Sequence, residues 1–215
     1  MEHELIVIGA SWGGLHAVGT VLMGLGDAAG AGVIVAQHRG PGTGDLLAPL
    51  LQRHTPLVVR EAEDKDSPRP GVVLLAPTDY HTLVEDDGKV ALSTEGLVQN
   101  ARPSIDVLFR SAAEAYRERC IGVVLTGTNE DGADGLARVE ELGGVAVVQE
   151  PSSAERSVMP AAALAATKGA VVLPLEEIGL YLRKLVASRQ RSRAEEPEVG
   201  LEPTTYGLQN RCSAS

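Results

Sequence analysis

The chain contains few aromatic residues and cysteines, and it is poor in positive charge. Aromatic residues make up 3% of its 215 residues, and the cysteines are Cys120 and Cys212. Nineteen Lys and Arg oppose 29 Asp and Glu, which gives a net charge of −10. Binding to a nucleic-acid backbone needs clustered cations, and base stacking needs aromatic side chains. The composition therefore argues against a nucleic-acid partner and against a disulfide framework.

Long apolar runs are also missing. No run reaches the roughly 18 residues of a membrane span, and the acidic N-terminus MEHELIVIGAS lacks the basic region of a signal peptide. Hydrophobic residues nevertheless make up 44% of the chain, which is enough for a buried core. We expect a cytoplasmic globular protein that is not embedded in a membrane. The composition changes near residue 187, which predicts a folded domain over residues 1–187 and a disordered tail over 188–215.

Six short apolar runs alternate with helical patterns along the predicted domain. Runs rich in β-branched residues, bounded by Gly, Pro or polar residues, are typical of strands buried on both faces of a parallel sheet. They lie at residues 5–8, 33–36, 72–76, 121–125, 145–148 and 171–173. The pattern predicts an α/β fold with a doubly wound, mostly parallel sheet flanked by helices on both faces. Asp87-Gly88, between two alternating runs, predicts an added β-hairpin near residues 81–93.

Polar residues that could perform catalysis follow three of the predicted strands. Ser11 follows the first strand within Gly9-Ala-Ser-Trp-Gly13, His38 follows the second, and Asp131 follows the run at 121–125. Ligands of such sheets bind outside the carboxyl ends of the strands, so we expect these side chains to converge. A serine nucleophile, a histidine base and an aspartate that orients the histidine would form a triad. Its order differs from the Ser, acid, His order of α/β-hydrolases.

The residues alone leave alternatives open. His81 also follows a strand and competes with His38 as the base, and Glu130 competes with Asp131 as the acid. Ser11 and Asp131 could simply cap helices. The Gly-rich turn fits neither a dinucleotide fingerprint nor a P-loop, because Ser11 replaces the middle glycine and no Gly-Lys-Ser/Thr follows. The histidines and cysteines lack the spacing of metal ligands, so we expect no metal and no other cofactor.

Seven segments, in chain order, resemble the catalytic domain of the CheB protein-glutamate methylesterases of chemotaxis. The segments are IVIGASWGG (6–14), VAQH (35–38), VVLLAPTDYHTLVE (72–85), RPSIDVLFRSAAEAY (102–116), VLTGTNEDGADGL (124–136), VQEPSSA (148–154) and MPAAAL (159–164). The resemblance implies hydrolysis of glutamate γ-methyl esters on the cytoplasmic helices of chemoreceptors, and in many members deamidation of receptor glutamines. It also implies a cofactor-free site in which Ser11, His38 and Asp131 are the catalytic residues.

The sequence departs from the family pattern in three ways. Trp12 stands where the family usually has a small or hydroxylic residue, and it could narrow the site or serve as a shelf for the substrate. Thr128-Asn129 stands where the family has Met-Gly, so we expect Trp12 and Thr128 to shape the oxyanion and substrate sites. No receiver domain precedes the first strand, which makes a separate response-regulator protein a candidate partner. A CheB-like binding module without catalytic turnover is the alternative function.

Overall fold

Strands and helices alternate along the chain. The computed structural model describes residues 3–27, 30–40 and 46–195. The strands are β1 Glu4–Ala10, β2 Ala31–Gln37, β3 Val58–Glu61, β4 Val72–Leu75, β5 His81–Val84, β6 Val90–Ser93, β7 Cys120–Val124, β8 Val145–Gln149 and β9 Val171–Leu173. The helices are α1 Gly14–Leu25, α2 Leu47–Gln52, α3 Ile105–Tyr116, α4 Ala133–Glu141, α5 Val158–Ala166 and α6 Leu175–Glu195.

Seven strands form one parallel sheet. Their order is β3-β4-β2-β1-β7-β8-β9, while β5 and β6 pair separately as an antiparallel hairpin. The predicted doubly wound α/β fold and the added hairpin are therefore confirmed. Strand β1 lies in the middle, with β2 on one side and β7 on the other. The chain leaves β1 and β2 toward the face that holds α1 and α2, but it leaves β7 toward the face that holds α4. The crevice at which such folds bind ligands therefore opens at the carboxyl ends of β1 and β7.

Two hydrophobic cores cover the two faces of the sheet. Neighbouring residues of β1 point to opposite faces, so Ile6 and Ile8 pack with α1, α2 and α6. Leu5 and Val7 pack with α3, α4, α5 and the hairpin on the other face. All four of these side chains are completely buried. A strand covered on both faces needs an unbroken apolar run, and this is why β1 reads as LIVI in the sequence.

Strand β3 was not predicted from the sequence. It is the edge strand next to β4, and only one of its four residues, Val59, is buried. Val58 is exposed, and Arg60 and Glu61 interrupt the apolar run. An edge strand that is only half covered has no reason to carry the apolar run of the central strands, so the sequence signal is weak.

Helix α6 extends beyond the predicted end of the folded domain. We expected a disordered tail from residue 188, but the helix continues to Glu195, and the rest of the predicted tail lies outside the described residues. The reason is tertiary: the carboxylate of Glu4 is completely buried and accepts hydrogen bonds from Arg189 (2.8 Å) and Arg193 (2.7 Å). Although α6 has 21 residues, neither it nor any other described helix is apolar enough to cross a membrane.

The contact between Glu4 and α6 predicts that Arg189→Ala destabilises the fold. The substitution leaves the buried carboxylate of Glu4 with Arg193 as its remaining guanidinium partner. Because Arg189 is partly exposed, we expect a loss of about 1–2 kcal/mol in the free energy of unfolding, measured by urea denaturation. Arg191→Ala, at an exposed position of the same helix, is the control and should change stability by less than about 0.5 kcal/mol. Equal effects of the two substitutions would contradict the assignment.

Candidate active site

The parallel register of the sheet places Ser11 beside His38. Ala10 and Gln37 are the last paired residues of β1 and β2, and the backbone N–H of His38 donates to the carbonyl of Ala10 at 2.9 Å. Neighbouring strands run about 4.8 Å apart, so the residues after this pair leave the sheet side by side. On its other side, the backbone N–H of Ser11 donates to the carbonyl of Thr126, just after β7, at 2.9 Å. The sheet therefore fixes the backbone at Ser11 from both sides.

The turn after Ser11 leads directly into α1. Gly13, which precedes the helix, has φ = 78°, a left-handed conformation that favours glycine. Within the described ranges, the backbone N–H groups of Trp12 and Gly13 have no hydrogen-bond partner, whereas that of Gly14 donates to the carbonyl of Ser11. Open N–H groups at a helix N-terminus can bind negative charge, which suits an oxyanion that develops next to Ser11.

His38 is hydrogen-bonded to Asp131. The Nε2 atom of His38 lies 2.7 Å from Oδ2 of Asp131, whose side chain is completely buried, while that of His38 is 13% exposed. We assign the proton to Nε2, because a carboxylate can only accept. The Nδ1 atom then carries the lone pair, and it accepts a long hydrogen bond of 3.5 Å from the amide Nδ2 of Asn129. None of the described hydrogen bonds of His38 involves the Ser11 hydroxyl.

The carboxylate of Asp131 receives three further hydrogen bonds from the start of α3. Its donors are the hydroxyl of Ser104 (2.9 Å) and the backbone N–H groups of Ile105 (2.8 Å) and Asp106 (3.0 Å). Burial alone would raise the pKa of Asp131, but the hydrogen bonds from His38, Asp106 and Ile105 outweigh it and hold the pKa below its usual value. Asp131 is therefore an anion at neutral pH that can stabilise a protonated His38.

The two competitors left open by the sequence occupy different positions. His81 is buried, its Nε2 donates to the carbonyl of Gly96 at 2.9 Å, and its Nδ1 accepts from the backbone N–H of Ser104 at 3.2 Å. Both ring nitrogens of His81 are thus engaged with backbone groups. Glu130 is exposed, whereas Asp131 faces His38. Geometry therefore favours His38 over His81, and Asp131 over Glu130.

A cavity of about 350 Å³ opens beside His38 and is lined partly by Asn129, Arg102 and Leu97. Leu97 is exposed, and the Nε atom of Arg102 and the Oδ1 atom of Asn129 are buried without a hydrogen-bond partner. The cavity therefore offers a small apolar surface next to unsatisfied polar atoms. No cluster of His, Cys, Asp and Glu within the described ranges could hold a metal ion.

Trp12 contacts the loop before α5. Trp12 is 58% exposed, yet its indole N–H donates to Glu155 at 2.7 Å. The guanidinium of Arg156 lies 5.7 Å from the ring centroid, within reach of a cation–π interaction. The ring is thus held in place at the surface. Thr128 is also exposed, in the loop after β7, and the substrate-shaping roles of Trp12 and Thr128 stay predictions.

Sequence reasoning missed Ser104, Asp106 and Asn129. Ser104 caps α3, accepting a hydrogen bond from the N–H of Val107, and the order Ser104-Ile-Asp106 at a helix start signals such a cap. It does not signal that the hydroxyl of Ser104 also donates to an aspartate 27 residues away. The sequence marks Asn129 only as a departure from the family motif and gives no sign of a role beside the histidine. Its contact with His38 depends on the loop conformation.

A serine beside a histidine–aspartate pair, at the carboxyl ends of parallel strands, is an arrangement typical of serine-type hydrolases. A family model for the CheB methylesterase matches residues 6–182. The chain shares 32% sequence identity with the CheB methylesterase catalytic domain of Thermotoga maritima, whose crystal structure is known. The two superpose with a TM-score of 0.81, over 86% of this chain and all of that one. The chain belongs to the CheB methylesterase family.

Relatives differ in how much of their length the chain spans. A protein-glutamate methylesterase/protein-glutamine glutaminase of Caulobacter vibrioides is 38% identical over 195 residues, which are 89% of this chain and 55% of that protein. A Leptospira interrogans relative with the same two activities in its name is 42% identical over 184 residues, which are 85% of this chain and 95% of that protein. The matched region is therefore a whole protein in one relative and about half of the other.

The low pKa of Asp131 predicts an acid-dependent contribution to stability. A group with a lowered pKa in the folded state stabilises fully above its unfolded pKa, about 3.9 for Asp, and this stability is lost as the pH falls through the folded pKa. The difference in unfolding free energy between the wild type and Asp131→Asn should therefore be constant from about pH 5 to 7 and shrink below about pH 4. Urea denaturation across this range measures it. A difference that grows toward low pH would contradict the assignment.

Proposed function

We propose that the chain is a protein-glutamate methylesterase that hydrolyses glutamate γ-methyl esters on the cytoplasmic helices of chemoreceptors. The observation that carries this proposal is the 2.7 Å contact between His38 and a buried, anionic Asp131, at the sheet edge where Ser11 emerges beside His38. Membership of the CheB methylesterase family supports the substrate class. Ester hydrolysis needs a nucleophile, a base and a stabilised oxyanion, and each has a candidate here.

In the first half of the reaction, the hydroxyl of Ser11 attacks the ester carbonyl and gives its proton to Nδ1 of His38. Nδ1 is the acceptor because Nε2 is already bound to Asp131. The backbone N–H groups of Trp12 and Gly13 face the developing oxyanion, and Asp131 stabilises the imidazolium of His38. The tetrahedral intermediate then collapses, the imidazolium protonates methoxide, methanol leaves, and a glutamyl ester of Ser11 remains.

In the second half, water replaces methanol. His38 removes a proton from the water as it attacks the glutamyl ester, and it gives that proton to Oγ of Ser11 when the bond between Oγ and the acyl carbon breaks. The glutamic acid that departs ionises, so the products are one glutamate carboxylate, one methanol and one proton for each water consumed. A glutamine carboxamide would follow the same path with ammonia as the leaving group, and the names of the relatives include this second activity for those proteins.

Trp12 and the cavity beside His38 supply surfaces for a protein substrate. The exposed face of Trp12 gives a flat apolar surface next to the nucleophile, in keeping with the shelf predicted from the sequence. The cavity lined partly by Leu97 and Asn129 lies beside the histidine. A helix that presents its esterified glutamate between these two surfaces would bring the carbonyl to Ser11.

The direct test of the proposal is methanol release from methylated chemoreceptor membranes. We expect the wild type to release methanol and Ser11→Ala to lose activity by a factor of about 10⁴ or more, because the covalent route is removed. Ammonia is measured in the same samples to detect glutamine deamidation. Ser188→Ala, at an exposed position of α6 beside Glu118 and so at the opposite end of the sheet strands, is a suitable control and should keep its activity within about twofold.

A serine-directed phosphonate separates the enzyme from a binding module without turnover. Labelling that disappears in Ser11→Ala but persists in Ser188→Ala supports the proposal, since only an activated serine reacts readily with such a probe. Methanol release that is equal in the wild type and in Ser11→Ala would refute the role of Ser11. Absence of both release and labelling in the wild type would favour the binding module.

A further inference from the structure

At the N-termini of α3 and α4, the backbone N–H groups of each helix start donate hydrogen bonds to an aspartate carboxylate at the start of the other helix. Asp131, just before α4, accepts from the backbone N–H groups of Ile105 and Asp106 at the start of α3. Asp106 in turn accepts from the N–H groups of Gly132 (3.0 Å) and Gly135 (2.7 Å) at the start of α4. Each carboxylate thus satisfies N–H groups that its partner helix cannot bond internally. The two helices are tied together by four hydrogen bonds around the residue that contacts His38.

We propose that Asp106 is a positioning residue that fixes Asp131 on His38. Asp106 does not contact His38 in the described hydrogen bonds, so it would act through the loop that carries Asp131. Gly132, which follows Asp131 directly, donates its backbone N–H to Oδ1 of Asp106. A shift of this loop would carry the Asp131 carboxylate away from His38. This inference rests on the proposed esterase function and adds Asp106 to it as a positioning residue.

Close packing leaves this arrangement little freedom. A methyl group on Gly135 would lie 2.7 Å from Cβ of Phe109 and 3.0 Å from Cα of Asp106, so α4 approaches α3 as near as a glycine permits. Asp106 is 2% exposed and Asp131 is completely buried. Water therefore has poor access to replace a lost carboxylate, and an unpaired N–H group in this place would be costly.

Because the carboxylates of Asp106 and Asp131 are buried close together, the groups that donate hydrogen bonds to them are needed to stabilise both charges. Burial raises the pKa of Asp106, the N–H of Gly135 opposes the rise, and the nearby carboxylate of Asp131 adds to it. The side-chain amide of Gln99 donates a further hydrogen bond to Oδ2 of Asp106 at 2.8 Å. Two buried carboxylates can lie this close only because helix N-termini and amide groups surround them. Loss of one carboxylate leaves the donors of the other helix unbound, and the loop is then free to move.

Two substitutions of Asp106 test whether Oδ1 positions the loop as a hydrogen-bond acceptor or whether the negative charge of the carboxylate is needed. Asp106→Asn keeps an oxygen that can accept from both Gly132 and Gly135, because both N–H groups bond the same atom, Oδ1. Asp106→Ala removes it. With methyl-esterified receptor membranes as substrate, we expect Asp106→Ala to lower kcat by about 10–100-fold with KM within about twofold, since misplacement of a catalytic group by about 1 Å costs this much. Asp106→Asn should retain kcat within about threefold.

Glu140→Ala is the matched control. Glu140 also accepts two backbone N–H groups, those of Lys168 and Gly169, but on the far end of α4. Its loss should leave kcat within about twofold of the wild type. Rates are divided by the fraction of folded protein, measured by circular dichroism. If Asp106→Ala does not fold, Asp106→Ser replaces it with the same expected loss, because its shorter side chain does not reach Gly132 and Gly135.

Crystal structures of the variants test the inference without substrate. The distance from Nε2 of His38 to Oδ2 of Asp131 is 2.7 Å here; it should exceed about 3.5 Å in Asp106→Ala and remain a hydrogen bond in Asp106→Asn. An unchanged distance, or an unchanged kcat in Asp106→Ala, would overturn the positioning role. Because the distance needs no turnover, it is decisive even if the wild type releases no methanol, which would count against the proposed function alone.

Discussion

The buried negative charge of Asp131 is the constraint on which the rest of the site depends. A carboxylate without solvent remains charged only if donors replace the water that it has lost. The start of α3 supplies three donors and His38 supplies the fourth. The position of α3, the loop before α4 and the orientation of the histidine ring therefore satisfy a single electrostatic requirement. A shift in any of them would leave the charge under-solvated.

Small residues let the backbone meet this requirement. Gly9 on β1 packs against the side chain of Ile105, and a methyl group on this glycine would clash with it. The first glycine of the Gly9-Ala-Ser-Trp-Gly13 turn thus makes room for the first turn of α3, while Gly13 allows the sharp entry into α1. The nucleophile motif and the support of the aspartate are consequently parts of one packing arrangement. Gly9 belongs to a motif that is local in the sequence, but it is required by packing against a helix far away in the chain.

The departures from the family pattern surround the histidine and the serine on the solvent side. Trp12 is anchored by Glu155 and Arg156 and presents an exposed ring. Asn129 brings an amide to within 3.5 Å of the histidine nitrogen that should accept the proton of Ser11. Asp106 and Asp131, by contrast, lie in a buried hydrogen-bond network. Trp12 and Asn129 are therefore on the side of the site from which a substrate would approach, and the packed network is on the other.

The sequence by itself determined the doubly wound α/β class, the hairpin and the candidate residues Ser11, His38 and Asp131. These follow from local patterns, because buried parallel strands need apolar runs and their carboxyl ends meet at one edge. The residues alone left His38 and His81 both open, and the family resemblance favoured His38. Only the tertiary structure showed that His38 contacts Asp131 while His81 is bound to backbone groups, that β3 joins the sheet, and that α6 continues past residue 187. These outcomes depend on hydrogen bonds, ion pairs and strand pairing between residues far apart in the chain, which no local pattern records.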